Sequence, residues 1–125
     1  MLTNNKLKAF IPTTKPKQAK QFYQDTLGLK LNFETDYSMQ FEGKESLLMI
    51  TTVESFEPQP FTVLGWNVSD IETEIRSLSK LGVELETYDS LEQDNLGIWT
   101  APSKAKIAWF KDPDGNLLSL TEMPK

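Results

Sequence analysis

Neither histidine nor cysteine occurs among the 125 residues, so the side chains left to do chemistry are carboxylates, lysines, tyrosines and hydroxyls. Histidine is the usual general base near neutral pH and, with cysteine, a leading transition-metal ligand. Thiolate nucleophiles, disulfides and His/Cys metal sites are therefore excluded together. The residues that keep a chemical edge are few. Lys8 lies inside an apolar run, where an ammonium must snorkel to solvent, pair with a carboxylate or bind an anion. A desolvated lysine there could serve instead as a base or Schiff-base amine. Trp99 and Trp109 offer ring faces to planar or charged guests, whereas Trp66 reads as core. Glu122 is a lone carboxylate on the last strand. The acids of KDPDG, residues 111–115, are turn chemistry: proline presets φ, aspartate caps the turn and glycine takes the left-handed position.

These residues must be held by elements that the hydrophobic pattern outlines. LKAFIPTT (Leu7 to Thr14) has strand length and no helical period. From Pro16, apolar positions Ala19, Phe22, Tyr23 and Leu27 follow helical spacing up to Gly28. LKLNFETD (Leu29 to Asp36), YSMQF (Tyr37 to Phe41) and SLLMITTV (Ser46 to Val53) read as three strands with short turns. ESFEPQP, residues 54–60, has two prolines and no periodicity and reads as a linker. Then the order restarts. FTVLGWNV (Phe61 to Val68) is a strand, and Asp70 caps a helix carrying Ile71, Ile75, Leu78 and Leu81, closed by Gly82. VELETY (Val83 to Tyr88) is the next strand, and Asp89 to Asn95 is a solvated loop. Strands follow at Gly97 to Ala101, Lys104 to Lys111 and Asn116 to Glu122.

Composition narrows the class. With 38% apolar and 25% charged residues, the chain fits one soluble domain with one core. No window approaches the roughly 18 apolar residues of a membrane span, and the start lacks a secretory h-region, so a cytoplasmic address is the default. Thirteen basic against eighteen acidic side chains give a net charge of -5, which disfavours nucleic acid and eases a cationic or neutral guest.

LGLKLNFETD (Leu27 to Asp36) and LGVELETYD (Leu81 to Asp89) match in pattern and in place after their helices. The expected fold is α+β, a tandem of two βαβββ modules, the first at about 5–53 and the second at about 61–123. Solenoids and propellers need about three or more repeats, so two copies point to paired modules forming one curved-sheet cup. Three blocks, AKQFYQDTLGLKL (Ala19 to Leu31), GWNVSDIETEIRSLSKLGVEL (Gly65 to Leu85) and AWFKDPDGNLLSL (Ala108 to Leu120), resemble the vicinal oxygen chelate superfamily. That superfamily includes glyoxalase I, fosfomycin-resistance proteins, extradiol dioxygenases and bleomycin-resistance proteins. The resemblance implies a ligand cavity enclosed by the two modules and frequent homodimers. It also implies four metal-ligand slots, which fall on Lys8, Met49, Val63 and Ser119. None is a histidine or carboxylate, so the resemblance implies the fold without the metal, and no cofactor is expected. Glyoxalase I, thiol-transferase and dioxygenase activities become poor readings.

Strand alternation then sorts the cavity lining. If Lys8 and Val63 face it, Phe10, Pro12, Gly65 and Asn67 do as well, and Leu117, Ser119 and Thr121 follow on the last strand. Ile11, Leu64, Trp66, Val68, Leu118 and Leu120 face the helices. In fosfomycin-resistance relatives an aromatic at the position matching Trp109 touches substrate. The face of Trp99 is not fixed by so short a strand. The expected ligand-binding set is Lys8, Phe10, Met49, Val63, Asn67, Trp99, Trp109, Ser119 and Thr121. The expected function is metal-free binding of a small aromatic or cationic molecule, as in drug or toxin sequestration of the bleomycin-resistance type. The alternatives are a lyase or isomerase with Lys8, Glu122 or a tyrosine as base, and a dimeric interaction module without a ligand.

Overall fold

The computed structural model describes all 125 residues, Met1–Lys125. They form two compact units, Met1–Pro58 and Gln59–Lys125, which divide inside the proline-containing segment. In the first unit β1 (Leu7–Thr13), α1 (Pro16–Gln21), β2 (Lys30–Glu34), β3 (Ser38–Gly43) and β4 (Ser46–Thr52) follow in order. Their sheet runs β1-β4-β3-β2, with β1 parallel to β4 and the other pairs antiparallel. The second unit repeats the plan with β5 (Thr62–Asn67), α2 (Ile71–Lys80), β6 (Trp99–Thr100), β7 (Lys106–Lys111) and β8 (Leu117–Glu122). Its sheet runs β5-β8-β7-β6, again with the first and last strands parallel. The chain is thus an α+β protein of two βαβββ modules. No helix is long and apolar enough to cross a membrane.

Each sheet buries one side. In the first unit Ile11, Met39, Phe41, Leu48 and Ile50 form the core with Ala19 and Tyr23. In the second, Ala108, Phe110, Leu118 and Leu120 form it with Ile71, Ile75 and Leu78, which share one face of α2 at a spacing of four and three residues. The Asp70 carboxylate accepts the Thr73 N–H at 3.2 Å, occupying one of the donors that a helix start leaves unpaired. The Asp112 carboxylate likewise accepts the N–H groups of Asp114 and Asn116, each at 2.9 Å, so the acids after β7 build the turn into β8.

Two predicted elements differ. The first helix changes at Phe22 into a wider π turn, Phe22–Thr26, closed by the Leu27 N–H on the Phe22 carbonyl at 2.9 Å. Tyr23, fully buried there, meets Phe22 edge-on at 5.2 Å and Phe41 at 6.1 Å. The predicted strand Val83 to Tyr88 is reduced to one bridge, Leu85 to Phe110, and the Glu86 N–H on the Trp109 carbonyl at 2.7 Å. The Gln93 side chain takes backbone groups that a ladder would have used: it accepts the Tyr88 N–H at 2.7 Å and donates to the Glu86 carbonyl at 3.0 Å. Two separated segments, 85–86 and 99–100, share the edge of β7, and the strand expected at Gly97 to Ala101 is confined to Trp99–Thr100.

Candidate functional site

Register places the open side of the second sheet, the side away from α2. Gly65 stands opposite Ser119 and Ser119 opposite Trp109; Asn67 stands opposite Thr121, Thr121 opposite Ile107, and Ile107 opposite Trp99. Residues paired across strands share a face, so Asn67, Trp99, Trp109, Ser119 and Thr121 lie on one side. Val63, expected on the same side, falls in a register shift between Thr62 and Leu64 where alternation is interrupted, and it is 40% exposed. The face of Trp99, open in the sequence, is settled by this pairing. Trp66 is half-buried on the opposite side.

The rings converge. Trp109 meets Tyr88 edge-on at 5.6 Å between centroids, and Trp99 at 6.2 Å with 32° between planes. Both Trp99 and Trp109 remain half-buried. Burial, with the nearby Glu86 carboxylate, pushes the Tyr88 phenol above its ordinary value, and Lys111 partly offsets this. Lys111 also pairs with Glu86 at 3.5 Å. Beside the rings, Ser119 is buried and its Oγ lies 2.7 Å from where a Cβ on Gly65 would stand. Only glycine lets the Ser119 hydroxyl lie against β5.

Sequence reasoning did not single out Tyr88, and it read the polar loop Tyr88 to Gly97 as a cover for the cup mouth or, by preference, as solvated chain. Residues 89–98 leave the sheet and return, pinned by Gln93, whose amide also donates to the Gly97 carbonyl at 2.9 Å, and by Asp94, which accepts the N–H groups of Leu96 and Ile98 at 2.9 Å. This loop is built rather than merely solvated. Ser90, Glu92 and Asp94 line a groove of about 410 Å³ with Ile98, Trp99 and Thr100. That volume lies within the ~300–1,000 Å³ of small-molecule sites.

The open side of the first sheet carries Lys8, Phe10 and Met49, with Phe10 opposite Met49 and Lys8 opposite Leu47. Lys8 snorkels: it is exposed, with its ammonium 5.7 Å from the Phe10 ring centre. Sequence reasoning also missed a hydrogen-bonded chain on this face. Lys6 pairs with Glu42 at 3.1 Å, Asn32 Nδ2 donates to Glu42 at 3.0 Å, and Gln40 Nε2 donates to Asn32 Oδ1 at 3.1 Å. Bonding from Asn32, then from Lys6 with its charge, holds the Glu42 carboxyl below its ordinary value.

Glu122 is committed elsewhere. Its carboxylate accepts the Ile71 N–H at 3.0 Å, so it caps α2 from the helix side of β8. At the four family slots stand an ammonium, a thioether, an isopropyl group and a hydroxyl, and nowhere do three carboxylate, histidine or cysteine side chains gather. This donor set does not fit the divalent ion of metal-dependent relatives.

A family model described as the Glyoxalase/Bleomycin resistance protein/Dioxygenase superfamily matches residues 7–120. The uncharacterized protein YraH of Bacillus subtilis (strain 168) is 27% identical over 119 residues, covering 86% of this chain and 89% of the relative. Among solved structures, the antibiotic binding protein TnmS3 from Streptomyces sp. CB03234 superposes with a TM-score of 0.72 at 22% identity, covering 99% of both chains. Lactoylglutathione lyase from Agrobacterium tumefaciens does so with a TM-score of 0.74 at 14% identity, covering 95% of this chain and 93% of its own. At such identities these two structures share the fold with this chain.

Proposed function

Since the chain belongs to the glyoxalase/bleomycin resistance protein/dioxygenase superfamily, we propose that it is a metal-free small-molecule-binding protein that sequesters an aromatic or cationic guest. The observation that carries this reading is the convergence of Tyr88, Trp109 and Trp99 on the open side of the second sheet. A planar guest gains stacking on rings already in place, and a cation over an indole face gains about 0.5–2 kcal/mol depending on desolvation. Ser119 and Thr121 add hydroxyls that orient polar groups of the guest. The antibiotic-binding description of the Streptomyces neighbour supports the class of guest. The lyase or isomerase alternative is weakened because Glu122 is bonded to the start of α2.

Tryptophan fluorescence against a panel of planar cationic and neutral aromatic compounds tests the reading. Saturable quenching by at least one compound is expected, and Trp109→Phe should remove most of it. Quenching unchanged in Trp109→Phe would take the ring cluster out of the site, and a stoichiometric transition metal surviving dialysis would overturn the metal-free reading. The same proposal includes a homodimer in the cytoplasm. Leu7, 75% exposed on edge strand β1, is apolar surface that a second copy would cover. Light scattering at micromolar concentration should give a two-chain mass.

A further inference from the structure

The chain Lys6–Glu42–Asn32–Gln40 on the first sheet has a direction. An ionised carboxylate can only accept, so Glu42 draws the Nδ2 of Asn32 toward itself, at 3.0 Å. Asn32 then presents Oδ1 to Gln40, which must answer with Nε2, at 3.1 Å. Gln40 Oε1 is left without a protein donor. The pairing of Glu42 with Lys6 at 3.1 Å favours its ionised form and so this polarity.

The residues paired with Gln40 across the strands are apolar. Register shifts between Leu31 and Phe33, so Asn32 is the extra residue of a bulge and both Asn32 and Phe33 lie against Gln40. Gln40 stands opposite Phe33 on one side and Met49 on the other, and Met49 stands opposite Phe10. The row Phe33–Gln40–Met49–Phe10 spans three strand spacings, roughly 14 Å, with one acceptor set among two aromatic rings and a thioether. Phe10 is 66% exposed, with the Lys8 ammonium 5.7 Å from its ring centre, and Phe33 is 45% exposed.

We propose that this row is a binding surface for flat aromatic molecules bearing an N–H donor, with Gln40 Oε1 as the acceptor and Glu42 as the residue that fixes its orientation through Asn32. Such a guest lays its ring on Phe10, Met49 and Phe33 while its N–H bonds to Gln40. An isostere offering an acceptor at the same place meets a like group and leaves two acceptors unpaired. Glu42 touches no guest. The proposal rests on the reading of the chain as a small-molecule binder, but not on the tryptophan cluster of the second unit.

Indole and benzofuran form the probe pair, because they share shape and differ by N–H against O. Binding is followed by NMR at the side-chain amides of Asn32 and Gln40 and at the indole N–H of Trp99 and Trp109. Indole should move the Gln40 amide signals and bind this face at least about tenfold more tightly than benzofuran, a difference set by one hydrogen bond. Gln40→Leu should weaken indole and leave benzofuran no weaker, since the like acceptor it met is gone. Glu42→Gln should preserve the melting temperature within a few degrees yet reduce discrimination to less than about twofold, because an amide at 42 no longer dictates direction. Equal binding of the two probes, or full discrimination kept in Glu42→Gln, would overturn the proposal. Tryptophan signals that move while Gln40 stays still would overturn it alone. Silence at both faces would take the small-molecule reading down with it.

Discussion

The two sheets agree on the side that faces a helix and diverge on the side that does not. Behind α1 and its π turn the first sheet packs Phe41, Leu48 and Ile50; with α2 the second packs Ala108, Phe110 and Leu118. Their open sides share strand order and little else. The first carries an oriented polar chain ending at Gln40 between Phe33 and Met49. The second carries three contacting rings, with Ser119 seated against Gly65. Buried faces are constrained by close packing, so a repeated module keeps them apolar. Open faces carry no such constraint, and each copy takes its own chemistry there.

The likeness of the cores makes the largest prediction. Phe41→Ala and Phe110→Ala should each destabilise by about 3–5 kcal/mol in chemical denaturation, since both rings are fully buried. A loss below 1 kcal/mol in either would break the equivalence. On the open side of the second sheet, Gln93→Ala should cost about 1–3 kcal/mol by leaving the Tyr88 N–H and the Glu86 and Gly97 carbonyls without their partner. It should also change the near-ultraviolet circular dichroism of the tryptophan pair. An unchanged spectrum would separate the loop from the rings. Gly65→Ala should cost about 1–3 kcal/mol from the 2.7 Å approach to Ser119 Oγ, and adding Ser119→Ala should recover part of it. Additive losses would mean that the clash lies with the backbone instead.

The smallest effects should separate the faces by pH. Glu42 has a lowered pKa, so its contribution to stability is present above the ordinary carboxylate range and is lost as pH falls through its folded value. Tyr88 has a raised pKa, so its contribution is present below the ordinary phenol value and is lost as pH rises through its folded value. Glu42→Gln should flatten the acid limb of the melting-temperature profile, and Tyr88→Phe the alkaline limb. A variant that changed the other's limb would contradict these assignments.

Much of this was legible in the letters. Helix ends at Gly28 and Gly82, the Asp70 cap and the turn after Lys111 are written in residues that act within a few positions of themselves. Alternation along β8 put Ser119 and Thr121 on one side and Leu118 and Leu120 on the other, and the pairing agrees. Legibility failed at VELETY, which matches the first module in pattern but loses its strand to the amide of Gln93. It failed again at Asn32, where a bulge puts two successive residues against one partner and interrupts the period of two.

The sequence by itself determined the repeated βαβββ plan, the apolar faces of both modules and the unsuitability of the four family slots for a divalent ion, because periodicity, caps and donor chemistry belong to individual residues and near neighbours. Tertiary structure alone decided that Trp99 joins Trp109 and Tyr88, that Glu122 caps a helix begun 51 positions earlier, and that the Gln40 amide donates to Asn32 across a bulge. Each depends on cross-strand register or on a bond between distant segments, and a one-residue shift in strand pairing would reverse the face of every side chain involved.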